Sequence, residues 1–407
     1  MILRISLSFV MIYLFSMTIA FADATSPKTH GLLITGNIKS YYFTRSFRKG
    51  TDQAAFSLGG NFHIQGDFAE RIGAGLTYGT ANPLGANSAN PARIDATLPG
   101  TTVSVLEEAY LQYHTDFATL RVGRQKISTP WALPSDSRII PNAFQGVGAS
   151  AKISKAWTLV ADRMVRYKSR VSSTFDANDN LSTLPTTGLL AVGGVYNQSS
   201  ASAQAWYYDF YGTAQMAYVD ATQRFLTTRK FRPYVAAQYV AEAGKTLRLA
   251  GNVDAHGYGI NLGVQHDRGD LSLAYNDVSF SRGSYKRGGI ASPYTYADTD
   301  PLYTTVTGTG LLDTGAGHAY RLSGSVWSYH NKLRAIAARA EYYLYGPSKF
   351  PNNHVLATNL DVTYFLGNGK RGEAFRGLSV RDRWIDIDTP GSPFTFVNNR
   401  AQLEYDF

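Results

Sequence analysis

The chain has 407 residues, 44% of them hydrophobic and 13% aromatic, with 27 Tyr, 21 Phe and 38 Gly but no cysteine, and a mean hydropathy of −0.19. No long charge-free apolar segment follows the N-terminal region, which excludes a helical membrane protein, and no disulfide can staple the fold. A formal net charge of +9 is too modest an excess to point to nucleic acid, although it would matter greatly if the cations shared one enclosed surface.

Arg4, an apolar run over 5–19 and Ala20-Phe21-Ala22 make up the cation, apolar stretch and small-x-small site of a cleavable signal peptide. Residues 1–22 are therefore expected to be removed on export, leaving Asp23 first, and an uncleaved membrane anchor is the alternative. Beyond this leader period-two alternation recurs to the end of the chain, and sustained helical periodicity does not. Ile34, Gly36, Ile38, Ser40 and Tyr42 form one face of the first segment, with Thr35, Asn37, Lys39 and Tyr41 on the other. Similar segments follow at 55–65, 69–78, 105–114, 117–124, 147–153, 156–170, 188–196, 202–210 and 213–223. The second half continues at 233–243, 255–266, 270–281, 318–329, 331–344, 354–367 and 375–388, and ends on a terminal strand over 394–407. In that last strand Val397, Ala401, Leu403, Tyr405 and the C-terminal Phe407 alternate with Asn398, Arg400, Gln402, Glu404 and Asp406. Grease on one side, charge on the other and an aromatic C-terminus are how bacterial outer-membrane barrels usually finish.

The expected fold is thus all-β, a transmembrane antiparallel β-barrel of about 18 strands over residues 23–407. Short turns at 66–67, 114–116, 154–155, 197–200, 266–269 and 330–331 alternate with long connections at 80–102, 125–146, 172–187 and 282–317, which gives one tight rim and one elaborate rim. A soluble β-sandwich or propeller would also alternate, but no repeat of fixed period is visible.

In a membrane barrel the apolar face of each strand meets lipid and the other face lines the interior. Across 157–170 this sends Trp157, Leu159, Ala161, Val165 and Tyr167 outward and Asp162, Arg166, Lys168 and Arg170 inward. In 375–384, Leu378, Val380 and Trp384 share one face while Arg381 and Arg383 share the other. Arg400 has inward parity on the strand that follows, and Arg121 lies between the lipid-facing Leu120 and Val122. Arginine suits such a wall because its fork donates two parallel hydrogen bonds to a carboxylate and stays charged. Cations near strand ends can instead snorkel to the headgroups, and Asp382 and Arg163 break the pattern. Within 125–146, Pro130, Pro134 and Pro141 stiffen the connection while Ser135, Asp136, Ser137 and Arg138 supply donors and acceptors, as expected for a constriction loop folded into the lumen. An ordinary external loop is the alternative there.

Nothing points to catalysis. There is no G-x-S-x-G turn, and His63, His114, His256, His266, His318, His330 and His354 sit mostly at predicted strand ends or turns without an H-x-x-x-H pair. Neither a metal nor a cofactor is expected. Working through 282–317 as an exposed loop, the barrel could also be a surface receptor or adhesin.

Residues 121–146, RVGRQKISTPWALPSDSRIIPNAFQG, carry GRQ, TP, D-x-R and P-x-x-F-x-G elements, and residues 377–384 read GLSVRDRW. These two windows resemble the strand-to-constriction-loop segment and the penultimate strand of the OprD family of outer-membrane substrate-selective porins. The resemblance implies an eighteen-stranded barrel in the Gram-negative outer membrane, associated as a homotrimer or more loosely. It implies passage of small anionic or zwitterionic solutes bearing a carboxylate, with Arg381 and Arg383 in a basic ladder that Arg400 continues. A general anion-preferring pore is the alternative. Outer-membrane lipids, and the assembly machinery acting through Phe407, are the other expected partners. Where the family pattern favours a further cation near Arg400 this chain has Gln402, and Asp136, Glu108 and Asp361 are the candidates for an acidic counter-wall.

Overall fold

In the computed structural model, residues 31–407 are described apart from 136, 226–229, 246, 297–298, 329–331, 347, 351 and 368–374. The leader, Asp136 and His330 therefore lie outside the described residues. Eighteen strands form one sheet. The first nine are β1 (Leu33–Phe47), β2 (Gln53–Ala69), β3 (Ile72–Asn82), β4 (Val103–His114), β5 (Ala118–Gln125), β6 (Ala143–Lys152), β7 (Trp157–Lys168), β8 (Leu189–Asn197) and β9 (Ala201–Phe210). The second nine are β10 (Ala214–Arg224), β11 (Phe231–Gly244), β12 (Asp254–His266), β13 (Gly269–Val278), β14 (Gly317–Trp327), β15 (Leu333–Leu344), β16 (His354–Phe365), β17 (Leu378–Asp388) and β18 (Phe396–Asp406). Each pairs antiparallel with its sequence neighbours, and β18 pairs with β1 from Asn37↔Asp406 to Phe47↔Phe396, so the sheet closes. Closure leaves no strand edge to be satisfied, which a hydrocarbon solvent demands.

The two faces sort as the alternation requires. Ile38, Tyr42, Leu58, Phe62, Val380 and Leu403 are exposed on the outside, while Lys39, Tyr41, Phe43 and Ser57 are buried within. A soluble sandwich would bury the first set against a second sheet, so that alternative is excluded. Aromatic rings gather towards strand ends on the outer face, Trp157 against Tyr196, Tyr405 against Phe407, and Tyr343 between His318 and His354. Such girdles mark where a barrel meets the headgroups.

Tight connections at 70–71, 115–117, 153–156, 198–200 and 267–268 lie on one rim. The opposite rim carries 83–102, 126–142, 169–188 and 279–316, although 48–52 and 211–213 on that rim are short. The long loops turn inward because their apolar residues find partners on the lumen wall. Trp131, from the loop after β5, is fully buried, packs edge-on against Tyr218 of β10, and donates its backbone N–H to the Tyr208 hydroxyl at 3.3 Å. The loop after β13, which the alternative receptor reading took as exposed, turns inward: Ile290, Ala291, Leu302, Tyr303 and Thr304 are buried. It is sewn to the wall by Asn276 of β13 accepting from the Thr304 N–H at 3.0 Å, Arg321 of β14 donating to the Thr305 carbonyl at 3.0 Å, and Asn359 of β16 donating to the Thr307 carbonyl at 3.1 Å. The inward course of this loop could not be read from composition, because packing against a wall and hanging in water both use Tyr, Thr and Gly.

Gly60 shows how tightly the seam beside β1 is drawn: its φ is +148°, and an added Cβ would stand 1.9 Å from the Asn37 carbonyl oxygen. Gly60→Val is expected to destabilise the closed barrel by about 1–3 kcal/mol through backbone strain, read as a lower temperature for the folded-to-unfolded band shift in a heat-modifiability gel. An unchanged transition temperature would contradict the β1–β2 geometry.

Candidate functional site

The lumen wall formed by β16, β17, β18 and β1 is basic. Alternation on β17 turns Arg381 and Arg383 inward together with Ser379, Ile385 and Ile387, and sends Val380 outward. Across the ladder Arg383 faces Arg400, and Arg400 faces Phe43. One carboxylate serves two of these cations: Asp361 of β16 accepts from Arg381 Nε at 2.8 Å and lies 3.2 Å from Arg383 Nε. The Arg400 Nε donates to Asn398 Oδ1 at 2.7 Å, and its guanidinium stands 4.6 Å over the Phe43 ring. Above this row Arg45 of β1 pairs with Asp95 at 3.2 Å, and below it Lys39 pairs with Glu404 at 3.0 Å. Among the described residues, Asp361, Asp95 and Glu404 are the carboxylates seen to pair with Arg381, Arg383, Arg45 and Lys39. Arg383 and Arg400 are only 4% exposed, and the low dielectric of so enclosed a place lengthens the reach of their charge.

The infolded loops press on this wall. Gly308, in the loop after β13, comes up against Ile385 and Ile387, one and two steps along β17 from Arg383. From the loop after β5, Ile139 and Ile140 join Tyr41 and Phe43 in one apolar cluster. Arg170, in the loop after β7, donates to Ser135 Oγ at 3.0 Å and Ser137 Oγ at 2.6 Å and lies 3.3 Å over the Tyr296 ring. Thr295 donates to the Trp131 carbonyl at 2.5 Å, and the Tyr167 and Tyr296 hydroxyls are 2.6 Å apart, so the three loops brace one another. Arg138 turns back on its own loop, donating to the Ser137 carbonyl at 2.7 Å.

Arg121 points inward as expected, donating to Gln112 Oε1 at 2.7 Å beside the Tyr110 ring. Arg166 does not. A β-bulge where Gln145 and Gly146 pair with Arg166 and Met164 inserts Val165 and shifts the phase, so Arg166 lines up with Gln145 and Arg124 on the face of Val122 and is exposed. Lys168 is fully buried at the rim, donating to the Pro141 and Ser169 carbonyls at 2.8 and 3.0 Å, where it clamps the end of the loop after β5 and does not line an open passage. Asp382 and Arg163, the two breaks in the pattern, do point outward: Asp382 accepts from Asn399, and Arg163 donates to backbone carbonyls including that of Met164. Of the acidic candidates, Asp361 sits within the basic wall, and Glu108 faces the lumen elsewhere, accepting from Thr77 at 2.6 Å and lying 3.5 Å from Lys126. Burial works against the charge on Lys126, but the Glu107 and Glu108 carboxylates outweigh it and hold the ammonium above the usual lysine range. Lys39 and Arg45 were missed as members of the wall. Their inward parity was legible, but not their place beside β18.

Residues 111–298 match the sequence pattern of the family described as outer membrane porin, OprD family, a stretch that includes the whole infolded loop after β5. No curated protein matches the chain. Among solved structures, Pseudomonas aeruginosa OccK9 (OpdG) is similar with a TM-score of 0.80 at 15% identity, over 92% of this chain and 98% of that one. P. aeruginosa OccK2 (OpdF) in complex with glucuronate follows at 0.77 and 14%, again over 92% and 98%. P. aeruginosa OpdK with vanillate gives 0.74 and 14% over the same shares, and at these identities the likeness is one of fold. With the family's pattern running from β4 into the loop after β13, and a closed barrel of the same fold as the Occ porins, the chain resembles the OprD family of outer-membrane porins, a family of channels.

Proposed function

We propose that the protein is a passive, substrate-selective diffusion channel for small carboxylate-bearing solutes in the Gram-negative outer membrane. The reading rests on one observation: Arg381, Arg383 and Arg400 converge on a wall where a single carboxylate, Asp361, serves two guanidiniums. The guanidinium fork is the donor whose geometry matches a solute carboxylate. Arg121, on β5, extends the basic lining, and several sites in series attract an anion without any one of them trapping it. OpdK and OccK2 have been solved with vanillate and glucuronate, both carboxylates, which supports the same solute class here. Residues 1–22 are read as a leader removed on export, Phe407 as the residue that outer-membrane assembly machinery recognises, and a homotrimer as the associated state.

In a planar bilayer at low salt the channel is expected to prefer anions, and Arg381→Ala combined with Arg383→Ala to lower the anion-to-cation permeability ratio about fivefold, the effect of ~1 kcal/mol of lost attraction at the wall. Unchanged selectivity in the double variant overturns the assignment. Liposome swelling with matched acidic, neutral and basic solutes separates a selective channel from a general anion-preferring pore.

Asp361→Asn runs the other way. It removes the one carboxylate that Arg381 and Arg383 share while keeping the side chain's size, so the reversal potential in a salt gradient should move toward stronger anion preference. A shift toward cations would place Asp361 outside the ion path.

A further inference from the structure

Cations also gather on the outer wall. Arg124 of β5, Gln145 of β6 and Arg166 of β7 face one another across three neighbouring strands. Val122 and Val147, two residues away on β5 and β6, are 50% and 40% exposed, so the row lies on the face that meets lipid. Arg124 is one residue from the upper end of β5 and Arg166 two from that of β7. This sets the row within about two rises of roughly 3.3 Å of the elaborate rim, the end where outer-membrane barrels carry their long extracellular loops. Arg163 stands lower on the same face of β7, between Val147 and Leu190. The three guanidiniums are anchored in one manner. Arg124 Nη1 donates to the Leu106 carbonyl at 3.3 Å, Arg166 Nη1 to the Phe175 carbonyl at 3.3 Å, and Arg163 Nη1 to the Met164 and Thr187 carbonyls at 2.6 and 2.8 Å. Arg124 also lies 4.6 Å over the Phe175 ring, so it and Arg166 converge on that residue. Anchoring through Nη1 leaves the other edge of each fork, Nε with Nη2, without a partner among the described residues, and no carboxylate there pairs with any of the three. Asp176, beside Phe175, accepts from Thr174 at 2.7 Å, and Asp209 of β9 accepts from Lys245 with both oxygens at 2.8 and 2.7 Å.

We infer that Arg124 and Arg166, with Gln145 between them, bind the phosphate of an outer-leaflet glycolipid. The inference rests on the outer-membrane reading and is independent of the solute that the lumen passes. The free edge of an arginine fork matches two phosphate oxygens, and the Gln145 amide, also without a partner among the described residues, adds a neutral donor. Neighbouring strands lie about 4.8 Å apart, so the two arginines start about 10 Å from each other, a span that their side chains close on one phosphate. Their Nη1 anchors hold the forks in place before the anion arrives, which lowers the entropy lost on binding. An arginine on the lipid face is costly at the bilayer midplane and nearly free close to the headgroups, where phosphate is the anion it meets. Below the row Leu120, Val122 and Val147 are exposed, and they offer the apolar surface against which the acyl chains of the same molecule lie. That pairing of free cations with a greasy wall favours a lipid over a free anion, and over a solute, which the wall itself keeps from this face.

The test is native mass spectrometry of the full chain in detergent, with bisphosphorylated lipid A and its fully dephosphorylated counterpart as probes. The unmodified protein should bind the phosphorylated lipid about tenfold more tightly, the effect expected of one charge-assisted hydrogen bond. Arg124→Gln with Arg166→Gln should bring the ratio close to one. Arg166→Gln alone, at the exposed end of the row, should lower it part of the way even if the double variant assembles poorly. Inorganic phosphate at the lipid's own concentration should displace none of it; displacement there assigns the row to a free anion and overturns the proposal. Equal affinity for the two lipids overturns it, as does a preference that survives both substitutions. So does a protein oligomer that the substitutions break while lipid binding stays the same, which makes the row an interface between copies. A chain that stays folded and monomeric in water without detergent is a separate result. It removes the outer-membrane reading, and this site with it.

Discussion

The pairing of the last strand with the first is the constraint on which everything else depends. In hydrocarbon an unpaired backbone amide costs several kcal/mol, so a spanning sheet must return to its own beginning. Here the return is made by backbone bonds in both directions between Gly36 and Phe407, at 3.1 and 3.0 Å, and by the ladder that runs from them to Phe47 and Phe396. The same pairing creates the site. Only when β18 lies against β1 does Arg400 come to rest over Phe43 and Lys39 meet Glu404, although more than 350 residues separate each pair in the chain.

The wall brings cations together across the sheet. Like charges directly opposed on neighbouring strands repel, and Arg383 facing Arg400 is such a pair. Three features make it tolerable: Asp361 between Arg381 and Arg383, the Phe43 ring beneath Arg400, and Asn398 accepting from its Nε. A wall neutralised throughout would have no reason to attract an anion, and one with no carboxylate would hold it too long.

Strand existence was legible because each strand has lipid on one side and polar lumen on the other, so the two-residue period is enforced along its length. Arg381, Arg383 and Arg400 could be assigned to the inner face for that reason; their strands contain no bulge. Arg166 could not. One extra residue at Val165 reverses every assignment beyond it, and the apolar-polar pattern around Val165, Tyr167 and Lys168 reads equally well in either phase. Loop placement was half legible: the prolines and polar residues of 126–142 pointed to an infolded segment, whereas 279–316 gave no such signal. What draws the latter inward is the match of Tyr303 to Ala236 and Ala274 and of Thr304 to Asn276, contacts that depend on a wall assembled from distant strands.

The infolded loops divide the barrel into two kinds of interior. Where Trp131, Tyr208, Tyr218, Tyr294 and Leu302 meet, the lumen is filled by a packed apolar core like that of a soluble domain, braced by Thr295 on Trp131 and Tyr296 on Tyr167. A solute cannot pass through close-packed side chains, so this filling narrows the lumen. The filling reaches the arginine-bearing strand as well, where Gly308 lies against Ile385. Packing therefore shapes the interior as much as charge does: the same loops that fill one side of the lumen also press on the wall that carries Arg381, Arg383 and Arg400.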